Sequence, residues 1–181
     1  LDKNKDFSGV FHRMNVLSLD GSMKMDNYRY FGDDGRFDLG QTIQGVAVGM
    51  NSSKMFRSDV LAELVLPNIP LVDYYFHTIT AKKGFVGYVN IDTPYGVYRS
   101  GVGVSATARA SIFNAILETH KYFAILYPDN KINISVSAMQ QLLSSLKSKC
   151  FSQSFGFILL LIKLKRIPLL RYLKHRAKGR N

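Results

Sequence analysis

Short runs of apolar residues predict short secondary-structure elements in the first half of this chain, and longer runs predict longer helices in the second half. Val10–Leu19 contains β-branched and aromatic residues and leads into Asp20-Gly21, which predicts a strand followed by a hairpin turn. Phe85–Ile91 and Val97–Arg99 predict two further short strands. From Thr107 to Tyr127 apolar residues recur at helical spacing, which predicts a long helix. Short strands flanked by helices indicate an α/β fold.

Polar residues at the start of apolar runs mark two more helices. Asp38 can accept hydrogen bonds from the amides of a first turn, which predicts a short helix to about Gln44. We predict a buried strand over residues 46–57. Ser58 or Asp59 then caps a helix that follows it.

The remaining elements are bounded by glycine and proline. Val72–Lys83 predicts a helix that ends at Gly84, where a left-handed backbone would stop it. Ser135–Lys149 predicts a further helix, and Tyr28–Gly40 is rich in turn residues.

Composition places the chain among globular proteins, because 46% of its 181 residues are apolar and 20% are charged. Cys150 is the single cysteine, which excludes an internal disulfide framework and a zinc–cysteine cluster. That usage fits a reducing, cytoplasmic compartment.

The net charge of +11 is unevenly distributed. Residues 1–129 contain 13 basic and 13 acidic side chains, whereas residues 130–181 contain 11 basic and no acidic ones. This asymmetry predicts a balanced globular part, residues 1–128, and a basic helical extension, residues 129–181, that binds an anionic surface. We do not expect nucleic acid as the partner, because no recognisable module interleaves aromatic and basic residues.

Three segments carry a resemblance to a known enzyme family. Ser53-Lys54-Met55-Phe56-Arg57 precedes Asp73 in a stretch rich in aromatic residues, and Gly96-Val97-Tyr98-Arg99 follows. This order resembles the second half of the inverting, nucleotide-sugar-dependent glycosyltransferases of the family-2 type, which have a GT-A fold. Leu1–Arg13 resembles the stretch that follows the metal-binding acidic motif of that family.

The resemblance implies transfer of a sugar from a nucleotide-sugar donor to a growing glycan, in bacterial cell-surface polysaccharide synthesis. It also implies a divalent metal, manganese or magnesium, whose Asp-X-Asp ligands precede residue 1; Asp33-Asp34-Gly35 reads more simply as a turn. We therefore expect a fragment, the C-terminal half of a GT-A domain, that is inactive by itself. Tyr98-Arg99 lacks the histidine that follows it in many relatives.

Asp73 is the candidate catalytic base, since an inverting transferase needs a carboxylate that removes the proton of the acceptor hydroxyl. The alternative is a helix N-terminal acid favoured only by the helix dipole. His77 lies four residues later and can share a helix face with Asp73.

Ser53, Arg57, Tyr98 and Arg99 are the candidate substrate-binding residues that the resemblance implies. A guanidinium matches phosphate oxygens bidentately, so both arginines are suited to an anionic donor or acceptor. Ion pairs with nearby aspartates are the alternative for both arginines.

The apolar run Phe155–Ile162 is too short to span a bilayer, and extending it would bury four cations at roughly 10–14 kcal/mol. We predict a basic helix lying on the anionic, cytoplasmic face of the plasma membrane, which Pro168 kinks or splits into two pieces. Its predicted lipid contacts are Lys163, Lys165, Arg166, Arg171 and Lys174. The alternative is a helix that packs on the domain, and a non-catalytic membrane- or partner-binding module is the alternative function.

Overall fold

The computed structural model describes residues 4–25, 35–45, 53–62, 68, 72–89, 91–102, 108–165 and 168. This part of the chain forms two open β-sheets and a layer of helices, so the predicted α/β class is confirmed. The strands are β1 (Phe7–His12), β2 (Asn15–Leu17), β3 (Met23–Met25), β4 (Arg36–Phe37), β5 (Lys54–Phe56), β6 (Phe85–Val89) and β7 (Val97–Arg99). The helices are α1 (Leu39–Gly45), α2 (Ser58–Ala62), α3 (Val72–Thr80), α4 (Arg109–Leu126), α5 (Lys131–Lys147) and α6 (Phe151–Lys163), with a 3₁₀ turn at Pro128–Asn130.

The first sheet has the strand order β4-β6-β1-β5. Its central pair, β1 and β6, is parallel, and the crossover between them contains α1, α2 and α3. At the edge, β5 runs antiparallel to β1, with Phe56 opposite Gly9 and Lys54 opposite Phe11. The first residue of β5 therefore lies near the carboxyl end of β1.

β5 is shorter and more exposed than the buried strand predicted over residues 46–57. Within the described residues the strand covers only Lys54–Phe56, and Met55 is 64% exposed. β5 is an edge strand of the described sheet, so fewer neighbouring elements cover it than cover a central strand, which accounts for this exposure. Residues 46–52 lie outside the described residues.

The predicted strand over Val10–Leu19 is in fact two strands in different sheets. β1 ends at His12, and after the buried Met14 the chain continues as β2, which pairs with β3 and β7. The predicted hairpin is confirmed, because Gly21 has a φ of 82° and the Asp20 carboxylate accepts a hydrogen bond from the Ser22 amide at 2.9 Å.

The predicted start of α1 is confirmed, whereas the predicted end of α3 is wrong. α1 is capped as predicted, since the Gln41 amide donates to the Asp38 carboxylate at 2.7 Å and the Asp38 amide donates back to the Gln41 side chain. The left-handed stop at Gly84 is wrong: α3 ends at Thr80, and Gly84 does not have a positive φ. A Cβ at Gly84 would lie 2.6 Å from the Asp6 carbonyl oxygen, so close backbone approach requires this glycine.

The main core joins the helices. Tyr74 of α3 is fully buried and packs edge-on against Phe123 of α4 at 5.0 Å, while Ile134 of α5 and Phe157 of α6 complete the same cluster. The long helix predicted from apolar spacing is confirmed as α4, and the helix predicted over Ser135–Lys149 is confirmed as α5, which runs from Lys131 to Lys147. The cluster draws side chains from both sides of residue 128, and the proposed domain boundary there stays a prediction.

Candidate functional site

The carboxyl end of the β1–β6 pair is the candidate site, because ligands of open α/β sheets bind outside the carboxyl ends of parallel strands. The Lys54 backbone pairs with Phe11, one residue before β1 ends at His12. The His12 ring contacts Tyr95 edge-on, with 6.0 Å between the ring centroids. Tyr95 is 87% exposed, so it presents an aromatic surface at this end of the sheet.

α3 brings Asp73 to the same end. The helix is followed directly by a turn and by β6, which starts opposite Phe7, so the beginning of α3 lies towards the carboxyl end of β1. Asp73 lies in the first turn and is exposed. Asp73, Phe76 and His77 share one helix face, and Phe76 packs edge-on against Phe56 of β5 at 4.7 Å. Lys54 projects from the same face of β5 as Phe56.

Lys54 is a buried amine beside this carboxylate. Its Nζ is buried and makes no hydrogen bond with the described residues. Burial lowers the pKa of Lys54 to about 6, and the negative charge of Asp73 opposes that shift only in part. Lys54 is therefore largely neutral at pH 7.

His77 completes the cluster one turn after Asp73. Burial, together with the charge of Lys54, lowers the pKa of His77 to about 3, so its imidazole is neutral at physiological pH. The two residues share a helix face, as their spacing predicts.

Arg57 lies at the opposite end of β1 from Asp73. Its amide donates to the Ser8 carbonyl at 3.0 Å, which places it level with the start of β1. Its guanidinium donates from Nε to the Phe7 carbonyl at 2.7 Å and from Nη2 to the Asn4 carbonyl at 3.0 Å. In these contacts the side chain ties down the turn that leads into β1.

Arg57 also lines an open cavity of about 380 Å³ together with Lys5, Lys83 and Asp59. This basic cavity faces away from the carboxyl end of the sheet. Arg57, which is predicted to bind phosphate, and Asp73, the predicted base, therefore lie at opposite ends of the sheet in the described structure.

The other predicted substrate-binding residues are divided between the two sheets. Ser53 is buried immediately before β5. Tyr98 and Arg99 are exposed on β7, and β7 pairs with β2, beyond the carboxyl end of β1. No side-chain hydrogen bond, ion pair or ring contact between described residues joins Tyr98 or Arg99 to Asp73.

Sequence reasoning missed Lys54 and Tyr95. Lys54 stands inside the Ser53–Arg57 segment, but nothing in its spacing shows that its amine is buried beside Asp73. Tyr95 belongs to a turn between strands and carries no periodic signal.

The predicted membrane contacts are described only in part. Lys163 and Lys165 are exposed at the end of α6, while Arg166, Arg171 and Lys174 lie outside the described residues, and Pro168 is buried beyond the helix end. Among the described helices, none combines the length and the apolar character needed to cross a bilayer.

The described residues also include no group of three His, Cys, Asp or Glu side chains that would hold a metal ion. The ligands that the family resemblance implies precede residue 1, so the divalent metal stays a prediction, and no step proposed below uses a metal.

Comparison of the chain with protein-family models, with curated proteins and with solved structures finds no match. The site is therefore defined by its own geometry: an exposed carboxylate, a buried amine and an exposed aromatic ring at the carboxyl end of a parallel strand pair in an α/β fold.

Proposed function

We propose that this chain forms the acceptor side of an inverting, nucleotide-sugar-dependent glycosyltransferase of GT-A type that extends a glycan. The order of Ser53–Arg57, Asp73 and Gly96–Arg99 supports this proposal. The observation that carries it is the exposed Asp73 carboxylate at the carboxyl end of the β1–β6 pair, next to the buried amine of Lys54.

Asp73 acts as the base in this proposal. Inversion requires that the acceptor hydroxyl lose its proton as it attacks the anomeric carbon, and a carboxylate within hydrogen-bond reach accepts that proton. Asp73 is exposed, so an acceptor hydroxyl can reach it.

Lys54 is a positioning residue, because its buried Nζ cannot contact the acceptor. Any protonated fraction of the amine attracts the Asp73 carboxylate. That fraction increases as the pH falls towards about 6, the pKa of Lys54.

Tyr95 provides the contact surface for a sugar ring. It is 87% exposed, and the edge contact with His12 orients its ring. An aromatic ring of this kind combines an apolar face with a polar hydroxyl, which matches the mixed surface of a pyranose.

The test compares Asp73→Asn with Asp59→Asn in the chain extended upstream through an acidic motif, with a panel of nucleotide sugars and with manganese or magnesium. Asp59 is a matched control, since it is also exposed in the first turn of a helix but lines the cavity at the other end of the sheet. We expect Asp73→Asn to lower kcat by about 100-fold or more with donor affinity retained, and Asp59→Asn to change it little. Near-normal turnover by a folded Asp73→Asn protein would exclude Asp73 as the base.

A second candidate, a non-catalytic module derived from a transferase, is favoured by the broad apolar surface of α6 described below. Donor binding separates the two, because a folded extended chain that binds no nucleotide sugar would support the non-catalytic module.

A further inference from the structure

α6 has an apolar face on each side. Its inner face packs in the core through Phe157, Leu160 and Leu161, which are at most 4% exposed. A helix that only packed on the domain would be polar on its other side.

The outer face of α6 is apolar as well. At 3.6 residues per turn its five large apolar residues fall within an arc of roughly 100°. They are Phe151 (67% exposed), Phe155 (60%), Ile158 (40%), Leu159 (50%) and Ile162 (63%). Leu143 and Leu146 of α5, the helix that packs against α6, are also exposed, at 39% and 42%. A patch of this extent on a folded protein is typical of an interaction surface.

Cations border this surface at both ends of the helix. Lys147 is exposed at the end of α5 and Lys149 in the connection to α6, and Lys163 and Lys165 are exposed at the end of α6. Residues 130–181 contain no acidic side chain to offset them.

We propose that the outer face of α6 docks on an anionic lipid surface, with its five apolar side chains at the acyl boundary and the bordering lysines among the headgroups. An amphipathic helix with cations beside its apolar face binds bilayers in this way. α6 has 13 residues, so it is about 20 Å long, shorter than the hydrocarbon core, and it lies along the surface.

The charge pattern favours lipid over a second copy of the chain. A symmetric dimer through this face would bring two basic, acid-free segments together, and like charges would repel each other. An anionic membrane presents the opposite charge. This inference does not rest on the transferase proposal, since α6 lies in the helical layer and no residue of the candidate site contributes to its outer face.

The experiment measures binding of the 181-residue chain to phosphatidylcholine vesicles with and without phosphatidylglycerol, by sedimentation. The chain has no tryptophan, so Phe155→Trp supplies a single fluorescent reporter on the face. The test variant is Ile158→Ser with Ile162→Ser. The control is Met55→Ser, because Met55 is 64% exposed, like Ile162, but lies on β5. Circular dichroism confirms that each variant is folded.

We expect binding only to the anionic vesicles, weakening with added salt, and a shift of the Phe155→Trp emission to shorter wavelength. The double serine variant should bind about tenfold more weakly or worse, and Met55→Ser should bind like the parent.

Three results would overturn the proposal. The first is absence of binding to anionic vesicles at low salt. The second is binding that the double serine variant retains in full, which would assign it to cations alone. The third is a lipid-free dimer that the same variant dissociates, which would assign the face to a second copy.

Discussion

Replacing Lys54 with methionine should stabilise the fold, because the native protein buries an amine that makes no hydrogen bond with the described residues. Methionine is unbranched and of similar length, so it fills the same space without a titratable group. The matched control is Lys82→Met, since Lys82 is exposed in the turn after α3.

The size of the effect follows from the pKa of Lys54. An unfolded lysine titrates near 10.4, whereas burial lowers the pKa of Lys54 to about 6 in the folded chain. At pH 7 Lys54 is protonated in the unfolded chain and mostly deprotonated in the folded chain. Folding therefore requires the loss of a proton, which costs up to about 4–5 kcal/mol. Lys54→Met should raise the free energy of unfolding at pH 7 by up to this amount.

The pH dependence has a definite sign. Because the folded pKa is lowered, the unfolded chain binds more protons than the folded chain between about pH 6 and pH 10.4, so parent stability rises with pH in that window. The advantage of Lys54→Met should therefore shrink by about 1.4 kcal/mol per pH unit across it.

Urea unfolding of the parent and both variants from about pH 6 to about pH 9 measures this difference. The control should stay within about 0.5 kcal/mol of the parent at every pH. An advantage of Lys54→Met that does not change with pH, or a loss of stability at pH 7, would refute the reasoning.

Two further predictions concern the start of the first sheet. Gly84→Ala should lower the free energy of unfolding by about 1–3 kcal/mol in urea titrations, because its Cβ would lie 2.6 Å from the Asp6 carbonyl oxygen; unchanged stability would contradict that contact. Arg57→Gln should cost about 1–3 kcal/mol, since its guanidinium bonds the Phe7 and Asn4 carbonyls. In the extended chain the same variant should keep donor affinity by calorimetry, because Arg57 lies away from Asp73. A large loss of donor affinity with stability intact would instead support the phosphate-binding role that the family resemblance implies.

The sequence was reliable where a structure depends on neighbouring residues. Asp38 and Gln41 are three residues apart, and their reciprocal cap forms as the pattern indicates. Asp20-Gly21 makes the turn that its backbone preferences favour. The long helix predicted over residues 107–127 is α4, because spacing along one helix face is a property of the local chain.

Prediction failed where distant segments decide the outcome. The run Val10–Leu19 is continuous in sequence, but its two parts pair with different strands and belong to different sheets. Glycine is the residue that commonly ends a helix, but position 84 requires glycine because the Asp6 backbone, 78 positions earlier in the chain, leaves no room for a Cβ. Neither long-range contact can be predicted from the neighbouring residues in the sequence.

By itself the sequence determined the α/β class, the presence of the helices, the Asp20-Gly21 turn and the strong positive charge of the last third of the chain, since each of these follows from local composition and spacing. Only the tertiary structure decided which candidate residues share an end of the sheet. The antiparallel register of β5 brings Lys54 towards Asp73 and carries Arg57 to the other end, although Lys54 and Arg57 are three residues apart. Strand register depends on pairing between distant segments of the chain. The packing of the elements decides which groups are buried: it buries the Lys54 amine, which lowers its pKa, and it leaves the second face of α6 exposed.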